Sequence, residues 1–209
     1  VLLAYFLFAK VGLTFAQSNP SATTVWPPSG IAVAAVLLGG YRLTPAVWAA
    51  AFLANATNAD TALDTAAVIA TGNMLEAVSA RLLLTRVWDW DAALRRLGDV
   101  IAYVLAVMAG ACVSASIGVL IALDLPAPVR WPVWRDWWTG DVVGGVFVGL
   151  AILLWFRTRS RAATAGLAAV AGVANFVGNG MSIELAGTDK VLTMATSLSG
   201  PGAVPPTTS

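Results

Sequence analysis

Apolar residues fill a series of long stretches of this chain, and short polar segments separate them. A hydrocarbon core about 30 Å thick needs roughly 20 helical residues, and most of the stretches approach that length. The pattern therefore predicts an all-α fold, a polytopic bundle of six to seven transmembrane helices. The predicted spans lie near 1–17, 28–42, 44–60, 62–84, 99–123 and 139–156, with 161–185 as a candidate seventh.

The distribution of arginine orients this bundle, because cytoplasmic loops collect Lys and Arg. With the N-terminus inside, the inner loops hold seven arginines and the outer loops hold only Arg130 and Arg135. The inner-loop residues are Arg42, Arg86, Arg95, Arg96, Arg157, Arg159 and Arg161. An inside N-terminus is therefore predicted, and it places the aromatic segment "WPVWRDWW" (131–138) at the outer interface.

Composition agrees with a membrane protein, since 58% of the residues are hydrophobic and 11% are charged. The lipid bilayer is thus the first expected partner, and a net charge of +1 gives no reason to expect nucleic acid. There is no histidine, and Cys112 is the single cysteine. The commonest metal ligands and the usual proton shuttle are missing, so the sequence predicts no metal site, no cofactor and no enzyme.

The second span begins with "WPPSG", residues 26–30. Proline is tolerated in the first turn of a helix, so Pro27 and Pro28 mark the start of this span. Ser29 can satisfy backbone donors there, and Gly30 permits close approach of a helix or a ligand. A plain helix start, with Trp26 as an anchor at the outer interface, explains the same residues.

The segment "GNMLEA" (72–77) carries the strongest signal, because Asn73 and Glu76 share one helical face. Glu76 lies roughly 20 Å into its span, where a carboxyl group is costly and by default functional. Lys10, at a comparable depth in the first span, is the predicted partner in a buried ion pair. A structural pair and a sensing or transport role both remain open. Gly72 is expected to let another helix pack closely beside the polar pair.

Two further positions complete the predicted polar set. Asn55 lies near the outer end of the third span, and Asp141 lies in the first turn of the sixth. A hairpin turn would explain Asn55, and the helix dipole would explain Asp141. Gly140 and Gly144 mark the sixth span as a closely packed helix.

Four segments occur in a characteristic order: "VWPPSGIAVAAVLLGGYRL", "FLAN", "GNMLEAVSARLLL" and "WWTGDVVGGVFV". In this respect the chain resembles the first class of membrane-associated sensor (MASE-type) domains, over roughly residues 1–160. The resemblance implies a sensory input module in a bacterial inner membrane, joined to a cytoplasmic histidine kinase or diguanylate cyclase. The motif positions that it implies are Trp26, Pro27, Pro28, Ser29, Gly30, Asn55, Gly72, Asn73, Glu76, Gly140, Asp141 and Gly144.

The expected function is therefore a sensor that binds a small periplasmic or membrane-derived signal and passes it to an output domain. A small transporter, or a substrate-binding membrane subunit, is the alternative, with Lys10, Asn73 and Glu76 as its midplane site. A homodimer is a further expectation. Residues 186–209 form a polar, Pro-rich tail that is predicted to be disordered and has no catalytic motif. The chain is thus expected to be a truncated input module or a shortened relative.

Overall fold

The computed structural model describes residues 1–13, 25–58, 61–88, 90–92, 94–159, 182–184 and 191–193. The chain divides into two units, Val1–Arg157 and Thr158–Ser209. The first unit is helical. Its shorter helices are α1 (Leu2–Leu13), α2 (Pro27–Gly39) and α3 (Thr44–Ala56), with a 3₁₀ turn at Tyr41–Leu43.

Three longer helices follow, and two of them contain a π-helical section. Helix α4 covers Leu63–Arg86. Helix α5 covers Leu97–Ile117 and continues as a π-helix over Gly118–Ala122. Helix α6 runs over Ala127–Arg159 and is π-helical at Gly144–Val148.

Helices α4, α5 and α6 are each long and apolar enough to cross a bilayer, and α1 and α2 are shorter apolar helices. Large apolar side chains on the outside of the bundle are well exposed, including Leu97, Leu120 and Phe147. A soluble protein would rarely leave such a surface open, whereas lipid covers it. The predicted all-α, multi-span membrane bundle is confirmed.

Small residues line the contacts between the helices. Ala50, Ala77 and Ala106 are fully buried, so the backbones of neighbouring helices come close together. A side chain at Gly110 of α5 would lie 2.7 Å from the Glu76 carbonyl oxygen. Helix α4 contacts α2, α3 and α5.

The sixth helix begins earlier than the sequence predicts, at Ala127 instead of 139. The aromatic segment 131–138 is helical and packs along α5. Trp134 donates its indole N–H to Ser116, and Trp138 donates to the carbonyl of Met108. These indoles bind groups on a neighbouring helix, and the position of the segment at the outer interface stays a prediction.

The second unit contains two short strands, β1 (Ser182–Glu184) and β2 (Val191–Thr193). They pair antiparallel, with Ile183 opposite Leu192. The prediction of disorder after 186 is therefore wrong for Val191–Thr193. Residues 160–181, which make up most of the candidate seventh span, lie outside the described residues.

Candidate functional site

A single hydroxyl group connects three helices inside the bundle. Ser29 Oγ lies 3.1 Å from Glu76 Oε2 and 2.9 Å from Asp141 Oδ1. Ser29 belongs to α2, Glu76 to α4 and Asp141 to α6, and each is at most 1% exposed. These three residues are called the Ser29 cluster below.

The Ser29 cluster lies deep along the two long helices. At about 1.5 Å per residue, Glu76 is roughly 20 Å from the start of α4 at Leu63, and Asp141 is roughly 21 Å from the start of α6 at Ala127. Ser29 nevertheless belongs to the first turn of α2. Helix α2 therefore begins about halfway along α4 and α6, at the level of the two carboxyl groups.

This depth corrects two predictions. Trp26 is buried and its ring packs against the Gly12 backbone, so it is not an anchor at the outer interface. Asp141 lies in the interior of a long helix instead of in its first turn. Both errors have one cause, which is that α6 starts a dozen residues before 139 and carries the "TGDVVGG" segment to mid-helix.

Glycines on α6 hold the N-terminus of α2 in place. The backbone N–H of Trp26 donates to the carbonyl of Gly140 at 3.1 Å. A methyl group at Gly144 would collide with the Trp26 carbonyl oxygen, and one at Gly30 would lie 2.6 Å from the Gly149 nitrogen. The "WPPSG" and "GDVVGG" segments are therefore in direct backbone contact.

The two prolines explain why a side chain, and not the helix end itself, meets the carboxyl groups. Pro27 and Pro28 have no N–H, and the N–H of Ser29 donates to the Trp26 carbonyl at 3.2 Å. The first turn of α2 thus offers few free backbone donors to an anion. The Ser29 hydroxyl is therefore the hydrogen-bond donor that meets the carboxyl groups.

A second layer of polar groups adjoins Asp141. The Trp137 indole donates to Ser114 Oγ at 3.2 Å, and Ser114 donates to Asn73 Oδ1 at 3.5 Å. Ser114 and Trp137 are neighbours of the Asp141 side chain. The predicted residue Asn73 therefore belongs to the same buried region, and its amide N–H also bonds the carbonyl of Ile69.

Three polar atoms near the Ser29 cluster make no hydrogen bond of good geometry with the described residues, although Trp26 lies near the Tyr5 hydroxyl and Ser114 and Trp137 lie near Asp141. They are Glu76 Oε1, Asp141 Oδ2 and the hydroxyl oxygen of Tyr5. Tyr5 is completely buried on α1 and interacts electrostatically with both carboxyl groups. An unsatisfied buried polar group costs about 1 to 3 kcal/mol, so a hydrogen-bond partner for any of these atoms would stabilise the bundle.

The predicted ion pair between Lys10 and Glu76 is wrong. Lys10 Nζ donates to the carbonyl of Ala54 and to Asn58 Oδ1, both at 3.0 Å. The last carbonyls of a helix attract cations, and Ala54 lies in the final turn of α3. Asn55 is also outside the Ser29 cluster, since its amide bonds the Ala51 carbonyl of its own helix.

Tyr103 on α5 is a buried polar residue that the sequence analysis missed. Its hydroxyl donates to the Gly145 carbonyl at 2.7 Å, inside the π-helical section of α6. π-Helical sections leave carbonyl groups without their usual partners and often occur at functional sites. Tyr103, Ser114 and Trp137 lie in apolar or aromatic runs, where the sequence alone gives no sign of their partners.

The motif segments from α2, α4 and α6 thus meet at one point, and the comparison with known families agrees with that convergence. The sequence profile of MASE1 matches residues 1–185. The chain belongs to the MASE1 family. MASE1 is a membrane-associated sensory domain of signalling proteins, as the resemblance implied. The match extends past the region of about 1–160 that the motifs cover, and no curated protein and no solved structure matches the chain.

Within this MASE1 domain the motif residues fall into groups with different surroundings. One group lies at or beside the Ser29 cluster, and Asn55 lies apart on α3. Gly72 faces α5, where an added methyl group would be 3.3 Å from Ile117. The residues at or beside the Ser29 cluster are Trp26, Pro27, Pro28, Ser29, Gly30, Asn73, Glu76, Gly140, Asp141 and Gly144.

Proposed function

We propose that this MASE1 domain is a multi-pass sensory input module of a bacterial inner membrane, and that the Ser29 cluster is its signal site. The observation that carries the proposal is the link from one hydroxyl on α2 to carboxyl groups on α4 and α6. A signal that changes the charge or the hydrogen bonds of this cluster acts on three helices at once.

The packing around the cluster supports a switch between discrete arrangements. Gly30 and Gly144 leave no room for a methyl group between α2 and α6. Closely packed interfaces of this kind resist gradual deformation, so a local change moves whole helices. A signal with different affinities for two arrangements shifts their equilibrium, and α6 passes the shift to a cytoplasmic kinase or cyclase domain.

The test is the basal output of the full-length signalling protein that carries this domain, measured in membranes as autophosphorylation or cyclic dinucleotide synthesis. Asp141→Asn and Glu76→Gln keep the size of the side chain and remove its charge. A polar contact is worth about 1 to 3 kcal/mol, so each variant should change basal output by roughly 5-fold to 150-fold.

The matched control is Asp64→Asn, which removes an exposed carboxylate from the first turn of α4. Its output should equal that of the wild type. If Asp141→Asn and Glu76→Gln accumulate normally in membranes and also keep wild-type output, the Ser29 cluster is packing and not a signal site.

One observation favours a transporter or substrate-binding membrane subunit as a second candidate. Helix α2 begins halfway along its neighbours, and transporters place the ends of broken helices at their midplane sites. Reconstituted wild-type protein would then release a pH gradient from liposomes faster than the Asp141→Asn variant does. Equal rates for the two proteins would remove this candidate.

A further inference from the structure

The Ser29 hydroxyl has two carboxyl neighbours at hydrogen-bond distance and only one hydrogen atom. It can donate that hydrogen to Glu76 or to Asp141, but not fully to both. The remaining contact becomes a hydrogen bond only when the other carboxyl group carries a proton and donates to Ser29 Oγ. One proton beyond those of the ionised pair would let both contacts, at 2.9 and 3.1 Å, be full hydrogen bonds.

We propose that Glu76, Ser29 and Asp141 form a binding site for one exchangeable proton, which the two carboxyl groups share through the Ser29 hydroxyl. The proposal deepens the proposed function and rests on it for the role in signalling, because it names the proton as the ligand of the Ser29 cluster.

The site has two equivalent forms. In one, the O–H of Glu76 donates to Ser29 Oγ, and Ser29 donates to the Asp141 carboxylate. When the Glu76 O–H bond breaks, its proton binds Ser29 Oγ while the original serine hydrogen moves to Asp141. The total number of protons stays the same, and the net result is a transfer of one proton from α4 to α6 with no other reactant.

Among the described residues, the side chains that surround the cluster supply no positive charge, so a bound proton is the counter-charge of the two carboxyl groups. Helices α2 and α3 contain no titratable side chain. The titratable groups that face the carboxyls from α1 and α5 are Tyr5 and Tyr103, and both interact electrostatically with Glu76. Both are neutral phenols at ordinary pH, so neither supplies a positive charge.

The cationic side chains of Lys10 on α1 and Arg81 on α4 bind other groups. Lys10 donates to the end of α3, and Arg81 donates to the carbonyls of Val36 and Leu37 at the end of α2. No salt bridge involves Glu76 or Asp141 among the described residues. Two ionised carboxylates without a cation would be costly in the bundle interior, and one bound proton removes much of that cost.

Tyr5 provides an independent indication that the site is open to hydrogen-bond rearrangement. Its hydroxyl is fully buried, makes no hydrogen bond of good geometry with the described residues, and interacts with Trp26 and electrostatically with both carboxyls.

The experiment is infrared difference spectroscopy of the whole chain in liposomes, with pH as the variable. Wild-type protein should show the C=O stretching band of a protonated carboxyl group at neutral pH, where exposed carboxylates are ionised, and this band should titrate with pH and shift in D₂O. Glu76→Gln and Asp141→Asn should each remove most of this band, and Asp64→Asn should leave it unchanged. Ser29→Ala should lower the proton affinity about tenfold or more, and Ser29→Thr, which keeps the hydroxyl, should restore it.

Two results would overturn the proposal. The first is the absence of a protonated-carboxyl band at neutral pH in the wild type, which needs no variant to fold. The second is loss of the band when NaCl replaces choline chloride at constant pH, because the site would then bind Na⁺. A titrating band together with unchanged basal output in Asp141→Asn would keep the proton site and remove its signalling role. Changed basal output without a titrating band would remove the proton site and keep the signalling role of the cluster.

Discussion

Gly144 is the most sensitive point in the contact between α2 and α6. Its backbone is helical, with φ −61° and ψ −47°, so alanine fits the local conformation. The added methyl group would overlap the Trp26 carbonyl oxygen and lie 2.5 Å from its carbonyl carbon. Those atoms are backbone, so the whole N-terminus of α2 must move to relieve the clash.

The cost of Gly144→Ala follows from three contributions. Overpacking in a closely packed interior costs about 1 to 3 kcal/mol. Movement of α2 also weakens the hydrogen bond from Trp26 to Gly140, which is worth about 0.5 to 1.5 kcal/mol. Alanine regains about 0.5 to 1 kcal/mol over glycine within a helix. The free energy of unfolding should fall by about 0.5 to 4 kcal/mol.

The assay is SDS-induced unfolding of the purified protein in mixed micelles, followed by tryptophan fluorescence. Gly98→Ala is the matched control, because an added methyl group there has no atom within 4 Å. It should be neutral or stabilising by up to about 1 kcal/mol. If Gly144→Ala is as stable as Gly98→Ala, α2 does not pack on α6 as described.

Three further predictions concern other parts of the bundle. Lys10→Met should destabilise the protein by about 0.5 to 2 kcal/mol, because the C-terminus of α3 loses its cap. Its effect on the free energy of unfolding should add to that of Glu76→Gln, and a non-additive effect would support the ion pair between Lys10 and Glu76. Tyr103→Phe should cost about 1 to 3 kcal/mol in the same assay, because a buried carbonyl of the π-helical section loses its donor, and an unchanged stability would contradict that role. Reporter fusions should read cytoplasmic after Arg96 and periplasmic near Asp60, and the opposite pattern would reverse the predicted orientation.

The helices and the deep burial of Glu76 could be predicted from the sequence, because both depend on composition and depth. A carboxyl group 20 Å into an apolar helix stands out in any membrane sequence. Asn73 could be added to the candidate site because it lies on the same helical face as Glu76. Those inferences needed no knowledge of how the helices are arranged.

The arrangement itself could not be predicted. Ser29 is 47 residues from Glu76 and 112 from Asp141, and nothing local indicates that they meet. Two prolines after a tryptophan are compatible with a helix that starts at the membrane interface and with one that starts in the middle of the bundle. Depth alone also could not choose a partner for Lys10, because that choice depends on the rotation of α1 about its axis.

The central claim is that one hydroxyl links α2 to carboxyl groups on α4 and α6, and double-mutant cycles of unfolding free energy test it most directly. Ser29→Ala combined with Glu76→Gln, and separately with Asp141→Asn, should deviate from additivity by about 0.5 to 3 kcal/mol. Ser29→Ala combined with Asn55→Ala, which removes a buried amide outside the cluster, should be additive within about 0.5 kcal/mol. Additivity in all three cycles would contradict the account, because Ser29 would then be independent of both carboxyl groups.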